Sequence, residues 1–379
     1  MEPISHFHTV FLSLGSNLGD KFGNLSMACG KLSARAGVLW DVSPVYRTES
    51  WGFEAPGFLN IAVMLKTPFS PDKLWQIIRE IERESGGRNP GPGYQSRYLD
   101  IDILYYDDRI VHTGELEIPH PKIPLRKFVL VPLYDIAPAW VHPVLKKTTG
   151  EMLEATGDGA RVETYGESIP FERSLHSGYQ YIAIEGNIGV GKTTLTHLLA
   201  SDYNAKTVLE RFADNPFLPK FYQDNERYAL PLEMSFLADR YQQLSDDLSQ
   251  FDLFKTFIIS DYYIFKSLIF AGVTLPHDEY TLYRKIFNIM YKEIIKPDLY
   301  IYLYQNTDRL LENIKKRGRE YEQQITASYL KQIHDAYFRF IHSQQDLNTL
   351  VIDVSGLDFV ARPEDYWHII QTIKNHNPK

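Results

Sequence analysis

Apolar and polar residues alternate in short runs through the first 155 positions of the chain. The period-two alternation typical of strands occurs in TVFLSLG, VLWDVSPVYRT, FLNIAVMLKT and YLDIDILYY. Helical periodicity occurs in NLSMACGKLSARA and in PDKLWQIIREIERESGG, where Pro71 lies near the first turn and two glycines end the segment. This β-α-β-β-α-β order predicts an antiparallel sheet with helices on one face, a ferredoxin-like α+β sandwich.

A different pattern begins after position 178. Long helical stretches alternate with the strand-like runs YIAIEG, TVLE, TFIIS, LYIYLY and TLVIDV, which predicts a doubly wound parallel α/β domain. Between the two patterns, residues 156–178 are rich in Gly, Ser, Thr and charge and have no sustained apolar period. We therefore predict domains over residues 1–160 and 179–379, joined by a linker over 161–178.

The composition restricts the classes of partner. The formal net charge of −8 argues against a general nucleic-acid or membrane-surface binder. The single cysteine, Cys29, excludes an intramolecular disulfide and fits a reducing compartment. No apolar run reaches the roughly 18 residues of a membrane helix, and the first ten residues lack the apolar centre of a signal peptide. We therefore expect a cytoplasmic protein with small-molecule partners.

The segment that follows YIAIE fits the pattern G-x-x-x-x-G-K-[ST] in full. Such a loop surrounds phosphates with backbone N–H groups, aided by the positive end of the following helix. In this pattern the lysine reaches the β- and γ-phosphates and the next hydroxyl binds Mg²⁺. The alternative interpretation is a glycine turn between a strand and a helix. The predicted ATP-binding residues are Gly186, Asn187, Ile188, Gly189, Val190, Gly191, Lys192, Thr193 and Thr194, with Thr193 as the Mg²⁺ ligand.

From about Tyr179 to its end, the chain resembles the deoxynucleoside kinases, through EGNIGVGKTT, LERFADNPFLPKFY, ALPLEMSFLADRYQQ, PDLYIYLY and KKRGREYEQ. The resemblance implies that Glu210, at the end of the second strand, accepts the proton of a sugar 5′-hydroxyl that attacks the γ-phosphoryl group. It also implies that Arg317 and Arg319 are lid arginines that close over the phosphates. Taken alone, these residues would be a solvated strand-end carboxylate and a solvated basic helix face.

The resemblance also implies how the nucleoside is held. Tyr222 and Glu322 match positions that bind the sugar 3′-hydroxyl, while Glu233 and Arg240 match a Gln and an Arg that bind the base. Glu233 is a departure, because an amide both donates and accepts whereas an ionised carboxylate only accepts. An exocyclic amine, as on adenine or cytosine, would still suit a carboxylate, and we predict deoxyadenosine as the substrate. The alternative for Glu233 is a charge on a helix surface.

The segment IISDYY is a second departure from the kinase pattern. The family usually has an acidic residue followed by Arg, and this chain has Asp261 followed by Tyr262. Asp261 can still serve Mg²⁺ or its waters. Without the arginine, either another cation contacts the reacting oxygens or turnover is slow.

In the N-terminal domain, RYLDIDILYY places two carboxylates on one face of a strand. Alternate strand residues share a face, so Asp100 and Asp102 point one way while Ile101 and Ile103 point the other. Two carboxylates beside Arg97 favour paired Mg²⁺ ions, because carboxylate oxygens suit hard cations and two metals can hold a phosphate chain. The alternation alone favours the alternative, an edge strand with its polar face in water.

Residues 7–155 resemble 6-hydroxymethyl-7,8-dihydropterin pyrophosphokinase, through FLSLGSNLGD, SPVYRTES, FLNIAV, RYLDIDIL and IPHPKIPLRKFVLVPL. That family has a ferredoxin-like fold without a glycine-rich phosphate loop, and it transfers a pyrophosphoryl group from ATP to a pterin alcohol. The resemblance implies that Asp100 and Asp102 hold two Mg²⁺ ions and that Arg97 takes part in catalysis.

The remaining positions implied by this resemblance bind the two substrates. Phe58 and Phe128 sandwich the pterin ring, and Thr48 and Asn60 hydrogen-bond its edge. The alternatives are ordinary core packing for the phenylalanines and a turn for the histidine in PHP. Arg88 lies in GGRNPGPGYQS, which would form a mobile lid. The implied ATP-binding positions are Glu82, Arg88, Arg97, His120 and Arg126.

Together these features predict a fused, bifunctional transferase that depends on Mg²⁺ and ATP. The N-terminal domain would pyrophosphorylate the pterin and release AMP, with two Mg²⁺ ions. The C-terminal domain would phosphorylate a deoxynucleoside at its 5′-oxygen and release ADP, with one Mg²⁺ ion. The kinase resemblance implies a homodimer through that domain. The alternatives for the C-terminal domain are a non-catalytic ATP-sensing or dimerisation module and a nucleoside monophosphate kinase.

Overall fold

The computed structural model describes residues 7–49, 57–86, 97–171, 175, 178–211, 215–249 and 255–376. The chain passes from one compact unit to a second between residues 173 and 174. Each unit has its own sheet and its own apolar core. None of the helices in the described ranges combines the length and apolarity needed to cross a bilayer.

The N-terminal unit is built on an antiparallel sheet. Its elements are β1 (His8–Ser16), α1 (Lys21–Arg35), β2 (Val38–Val42), β3 (Tyr46–Thr48), β4 (Phe58–Thr67), α2 (Pro71–Glu84), β5 (Asp100–Tyr106), β6 (Val111–His112), β7 (Glu117–Ile118), α3 (Lys127–Ile136), α4 (Thr149–Ala155) and β8 (Val162–Thr164). The spatial order is β5-β1-β4-β3-β8, and β2 also pairs with β4. Short strands β6 and β7 pair with each other.

The start of α2 shows how local sequence signals set a helix boundary. The side chain of Ser70 accepts a hydrogen bond from the Lys73 amide, and Pro71 occupies the first turn. The apolar positions of α2 recur at helical spacing, so they form one face that is buried in the unit. These positions are Leu74, Ile77, Ile78 and Ile81.

Helices cover both faces of this sheet, whereas the sequence pattern predicts helices on one face. Phe11, Ala62 and Leu104 on the strands pack against α3 and α4 in one apolar cluster. α1 and α2 contact β1, β4 and β5 but do not contribute to that cluster, so they lie on the other face. The physical reason is visible in β1, where Val10, Phe11 and Leu12 are all buried although they alternate between faces. A sheet that is apolar on both sides needs two covering layers.

Part of the predicted linker belongs to the sheet. Residues 162–164, which the sequence assigns to the linker, form β8 and pair antiparallel with β3. Val162 is paired with Thr48, and Thr164 is paired with Tyr46. The pairing occupies the backbone groups that β3 would otherwise present at its edge.

The C-terminal unit is built on a parallel sheet. Its elements are β9 (Tyr181–Gly186), α5 (Lys192–Tyr203), β10 (Lys206–Val208), α6 (Leu218–Gln223), α7 (Asn225–Ser249), β11 (Ile258–Ser260), α8 (Phe265–Thr274), α9 (His277–Met290), β12 (Leu299–Tyr304), α10 (Thr307–Arg317), α11 (Ala327–Ser343), β13 (Thr349–Asp353) and α12 (Pro363–Lys374). The spatial order is β10-β11-β9-β12-β13, which confirms the predicted doubly wound parallel sheet.

The topology of this sheet determines where chemistry can occur. β9 lies in the middle, and all six of its residues are buried, as expected for a parallel strand covered on both faces. The carboxyl ends of parallel strands lie at one edge of the sheet, where open α/β sheets bind ligands. The loop after β9, Glu210 after β10 and Asp261 after β11 therefore lie at that edge.

Candidate active sites

The loop between β9 and α5 has a conformation that requires glycine. Gly189 and Gly191 have φ angles of +86° and +95°, which residues with a side chain rarely adopt. A Cβ atom on Gly191 would lie 2.8 Å from the ring of Phe359. The Nζ atom of Lys192 donates to two carbonyls of this loop, each at 3.0 Å. Burial, together with the charge of Lys266, lowers the pKa of Lys192 to about 8, and an anion in the loop would reverse this effect.

Two oxygen ligands for a divalent cation meet beside this loop. The Thr193 hydroxyl donates to Oδ2 of Asp261. Oδ1 of Asp261 accepts from the backbone N–H of Glu210 at 2.8 Å. Hydroxyl and carboxylate oxygens suit Mg²⁺, which usually takes its other ligands from phosphates and water. The residues present therefore fit one Mg²⁺ ion at the end of the loop.

Glu210 is a carboxylate whose side chain is 10% exposed and lies between two cations. Its Oε1 accepts from Nε and Nη2 of Arg240 at 2.9 and 2.6 Å, and its Oε2 accepts from Nζ of Lys266 at 2.5 Å. Burial alone would raise the pKa of Glu210, but the charges of Lys266 and Arg240 outweigh it and hold the pKa well below the ordinary range. Glu210 is therefore ionised at neutral pH, and its Oε2, which accepts one hydrogen bond from these cations, keeps a lone pair that can accept a proton.

Glu233 and Arg240 lie two turns apart on α7, and both side chains are buried. Glu233 is 3% exposed, so the alternative of a helix-surface charge is wrong. Its Oε1 accepts from Oγ1 of Thr274 at 2.9 Å, while its Oε2 has no hydrogen-bond partner within the described ranges. Burial raises the pKa of Glu233 to about 7, and Arg240 offsets only part of this effect. Both protonation states of Glu233 are therefore accessible at neutral pH.

The two predicted lid arginines contact a carboxylate of the same unit. Nη2 of Arg317 donates to Oε2 of Glu322, and Nη1 of Arg319 donates to Oε1 of Glu322 at 3.1 Å. Gly318 between the arginines has a φ of +72° and ends α10 in the left-handed conformation. Glu322 is buried while both arginines remain partly exposed. The arginines are thus oriented toward the pocket interior, not spread along a solvated helix face.

One pocket brings these groups together. It is lined by part of the phosphate loop, both candidate Mg²⁺ ligands, Glu210, the two lid arginines and every position predicted to bind the nucleoside, beside apolar side chains suited to a flat base. Its lining residues are Ile188, Gly189, Lys192, Thr193, Glu210, Leu218, Phe221, Tyr222, Leu232, Glu233, Phe236, Arg240, Asp261, Lys266, Phe270, Arg317, Arg319, Glu322 and Tyr329.

In the N-terminal unit, strand register gathers the predicted residues on one face. Asp102 is paired with Ser13, and Asp100 is paired with Gly15, which is also paired with Asn60. Paired residues of antiparallel strands point to the same side of the sheet. By the same pairing Phe58 and Thr48 share this side, which is the face covered by α3. A Cβ atom on Gly15 would lie 3.0 Å from Oδ1 of Asn60, so the glycine leaves room for this amide.

Contacts within the protein fix the orientation of the polar side chains on this face. Nδ2 of Asn60 donates to Oγ1 of Thr48 at 2.7 Å, and both side chains are buried. The Cζ atom of Arg126, just before α3, lies 5.5 Å from the centroid of the Phe128 ring. This ring is partly buried against the apolar cluster that α3 and α4 form with the sheet. An amide, a hydroxyl and two aromatic rings next to the paired aspartates form a site for a flat polar heterocycle with an anionic neighbour.

The two aspartates carry an electrostatic penalty that cations would relieve. Burial and the neighbouring Asp100 raise the pKa of Asp102 to about 7, although Arg126 acts in the opposite direction. Arg97 contacts Asp100, while Arg126 and His120 each lie 3.9 Å from Asp102. Repulsion between two carboxylates favours bound metal, and the oxygen donors fit Mg²⁺.

The comparisons with known proteins divide the chain in the same way. Residues 182–377 match the family model for deoxynucleoside kinase, and residues 11–138 match the model for 7,8-dihydro-6-hydroxymethylpterin-pyrophosphokinase. A deoxyguanosine kinase of Bacillus subtilis is 37% identical over 51% of this chain and 96% of that protein. A 2-amino-4-hydroxy-6-hydroxymethyldihydropteridine pyrophosphokinase of Porphyromonas gingivalis is 46% identical over 35% of this chain and 93% of that protein. The chain belongs to both families.

It is therefore a bifunctional enzyme, with a pterin pyrophosphokinase half and a deoxynucleoside kinase half. This confirms the predicted fusion. It also favours nucleoside phosphorylation over an ATP-sensing module and over a nucleoside monophosphate kinase. A third relative, the deoxyadenosine/deoxycytidine kinase of Bacillus subtilis, is 31% identical over 51% of this chain and 90% of that protein.

The structure describes two of three further residues predicted to bind ATP in the pyrophosphokinase half. Oε1 of Glu82 accepts from the backbone N–H of Ile101 at 3.0 Å, so this buried carboxylate ties α2 to β5 between the two aspartates. Burial and the charge of Arg126 lower the pKa of His120 to about 4, so its imidazole is neutral at neutral pH in the protein without ligand. Arg88 lies outside the described residues.

Sequence reasoning missed one pocket residue of the kinase half, Lys266, and one residue that contacts a pocket side chain, Thr274. Lys266 and Thr274 lie on α8, where they contact Glu210 and Glu233. The signal was a single lysine in the otherwise apolar or small-residue run FKSLIFAG, because a lysine on a buried helix is rarely tolerated without a partner.

Proposed function

We propose that the pyrophosphokinase half is a ferredoxin-like domain that transfers the terminal pyrophosphoryl group of ATP to the hydroxyl of 6-hydroxymethyl-7,8-dihydropterin and releases AMP. The observation that carries this proposal is the single sheet face shared by Asp100, Asp102, Asn60 and Thr48. Asp100 and Asp102 would hold two Mg²⁺ ions, which supply neutralisation of the triphosphate. Asn60 would hydrogen-bond the pterin edge.

The pterin ring and the triphosphate would be held by the groups around this face. Phe58 and Phe128 would hold the two faces of the ring, and Thr48 supplements Asn60 at its edge. Arg97 and Arg126 would bind the triphosphate, since both already lie beside the aspartates.

In the kinase half, the proposed reaction is 5′-phosphorylation of a deoxynucleoside with release of ADP. The pocket that unites the phosphate loop with Glu210 carries this proposal. Glu210 would accept the proton of the 5′-hydroxyl, and Tyr222 and Glu322 would hold the 3′-hydroxyl. Thr193 and Asp261 would hold one Mg²⁺ ion, which supplies charge neutralisation on the phosphates.

The direct test uses the full chain and product analysis. Incubation with ATP and the pterin alcohol is expected to yield AMP, whereas incubation with ATP and a deoxynucleoside is expected to yield ADP and a 5′-monophosphate. The four common deoxynucleosides and their monophosphates form the panel for the second reaction. If the enzyme phosphorylated monophosphates and left the nucleosides unchanged, the proposed kinase reaction would be wrong.

The preferred base is proposed from the chemistry of Glu233. A protonated carboxyl group donates one hydrogen bond and accepts another, which matches the amine and ring nitrogen of adenine. An ionised carboxylate accepts two, which matches the N1–H and N2–H groups of guanine. We propose deoxyadenosine as the substrate of the protonated form. Deoxyguanosine is the second candidate, favoured by the pKa of Glu233 near 7 and by the name of the 37% identical relative.

This assignment predicts a base preference that changes with pH. Because Glu233 is protonated below about pH 7 and ionised above it, the ratio of kcat/KM for deoxyadenosine to that for deoxyguanosine is expected to fall as pH rises from 6 to 8. The fall has an upper limit of about tenfold per pH unit, set by the ratio of the two protonation states. Ionisations that affect both substrates equally, such as that of Lys192, cancel in this ratio.

The matched control is Glu233→Gln, which donates and accepts at every pH. It is expected to favour deoxyadenosine with a ratio that no longer depends on pH. If the wild-type ratio of the two kcat/KM values stayed constant between pH 6 and 8, Glu233 would not determine the choice of base.

The proposed homodimer through the kinase half has one structural support. Leu282 and Ile289 lie seven residues apart on α9 and are 55% and 72% exposed, which gives this helix an apolar strip suited to a partner copy. The cytoplasmic location stays a prediction from composition.

A further inference from the structure

The position that is usually arginine in the kinase family cannot act on substrate in this chain. Tyr262 is fully buried and belongs to the apolar cluster of the kinase half. Its hydroxyl has no hydrogen-bond partner in the described part of the chain. Tyr262 therefore contributes packing, and the cation expected at the reacting oxygens must come from another element.

Lys266 supplies a cation from the start of the following helix. It lies in the first turn of α8, four residues after Tyr262, and its side chain is 10% exposed. Its Nζ reaches Oε2 of Glu210 at 2.5 Å, and it lines the pocket together with Lys192 and Thr193 of the phosphate loop. A buried lysine is costly unless its charge is paired, and Glu210 pairs with Lys266 here.

The two cations on Glu210 differ in how firmly they are held. Arg240 makes two hydrogen bonds to Oε1 of Glu210 and a third to Oγ of Ser267 at 2.7 Å, so its planar guanidinium is fixed on two sides. Lys266 makes one hydrogen bond to Oε2 through a flexible four-carbon stem. Oε2 accepts one hydrogen bond from these cations and Oε1 accepts two, so Oε2 is the oxygen that a 5′-hydroxyl can reach and Lys266 is the cation that can move.

We propose that Lys266 is a catalytic cation of the kinase half, whose ammonium moves from Glu210 to the transferring phosphoryl group when ATP binds. This inference rests on the proposed kinase reaction. The 5′-oxygen forms a bond to the γ-phosphorus, and its proton passes to Oε2 of Glu210. The bond from the γ-phosphorus to the bridging oxygen breaks, and its electron pair leaves with ADP. Lys266 thus replaces the missing arginine and frees the base in one movement.

The test compares Lys266→Met and Lys266→Arg in the full chain. Lys266→Met is expected to lower kcat for nucleoside phosphorylation by about 10²–10³-fold, the usual effect of removing one donor to the reacting group. The KM for the nucleoside should change little. Lys266→Arg should restore most of the activity, because it keeps a cation at this position.

A binding measurement separates catalysis from a purely structural role. If Lys266 contacts the γ-phosphoryl group, Lys266→Met should weaken binding of an imido-bridged ATP analogue at least tenfold while ADP binds as in the wild type. Lys331→Met, which changes an exposed lysine of α11, is the matched control and should alter neither value.

Equal affinities of wild type and Lys266→Met for the analogue, measured by calorimetry, would overturn the proposal. If Lys266→Met does not fold, Lys266→Gln takes its place in the same comparison. Wild-type protein that phosphorylates no deoxynucleoside would refute the kinase reaction, whereas the analogue-against-ADP comparison still tests Lys266.

Discussion

Replacing Glu210 with glutamine is expected to lower kcat for deoxynucleoside phosphorylation by about 10²–10⁴-fold, the usual contribution of a general base. Glutamine keeps the size of the side chain but cannot accept the proton of the 5′-hydroxyl. The KM for ATP is not expected to rise, because Lys266 loses its carboxylate partner and becomes more available to the phosphates. Initial rates measured over a range of ATP concentrations at saturating nucleoside give both quantities.

The same variant tests whether the loss is chemical or structural. Leaving two buried cations without their partner is expected to destabilise the kinase half by about 3–5 kcal/mol, so thermal unfolding must be measured beside the rates. Formation of AMP from ATP and the pterin, on the same preparation, is expected to stay at the wild-type rate. Glu312→Gln, an exposed carboxylate on α10, is the control and should leave both activities unchanged. A folded Glu210→Gln variant with more than a tenth of wild-type kcat would contradict the assignment of the base.

The sequence predicted the parallel sheet of the kinase half well because its signals are local. Each strand is a short apolar run, and the phosphate loop requires glycine at positions where a side chain would collide with a neighbour. Glu210 and Asp261 follow strands that the pattern had identified, so their place at one edge of the sheet followed from parallel topology.

The side chains that contact the site carboxylates were harder to predict, because these contacts depend on long-range packing. Lys266 reaches Glu210 across 56 positions, and Thr274 reaches Glu233 across 41. The burial of Glu233, which decides its protonation, also arises only when α7 and α8 pack together. Residue types at these positions give no direct indication of such pairs.

In the pyrophosphokinase half, the pattern identified both aspartates but not the layer that covers them. The alternation in YLDIDILYY shows that Asp100 and Asp102 share a face, whereas it does not show which helix lies over that face. The segment RKFVLVPL lacks a clear helical period and contains Pro132, yet it forms α3 over the sheet. Apolar runs of this kind fit a buried strand or a buried helix equally well.

Asp102→Asn is expected to separate the activity of the pyrophosphokinase half from its stability. If Asp102 holds Mg²⁺ at the triphosphate, the neutral amide loses several kcal/mol of transition-state stabilisation, so pterin-dependent AMP formation should fall about 10²–10⁴-fold. Asp100→Asn should reduce the rate in the same way, although it also removes the partner of Arg97. Deoxynucleoside phosphorylation by the same variants should be unchanged.

The stability of metal-free Asp102→Asn should change in the opposite direction to its activity. The folded-state pKa of Asp102 is about 7, above the ordinary value of about 3.9, so ionising this group destabilises the wild type as pH rises from about 4 to 7. The variant should therefore unfold at a higher temperature than the wild type at pH 7, with the difference vanishing near pH 4. Mg²⁺ with ATP should then raise the unfolding temperature of the wild type more than that of the variant. If Asp100 and Asp102 only formed a solvated polar face, both variants would make AMP at near-normal rates. That result would refute the metal site on this face.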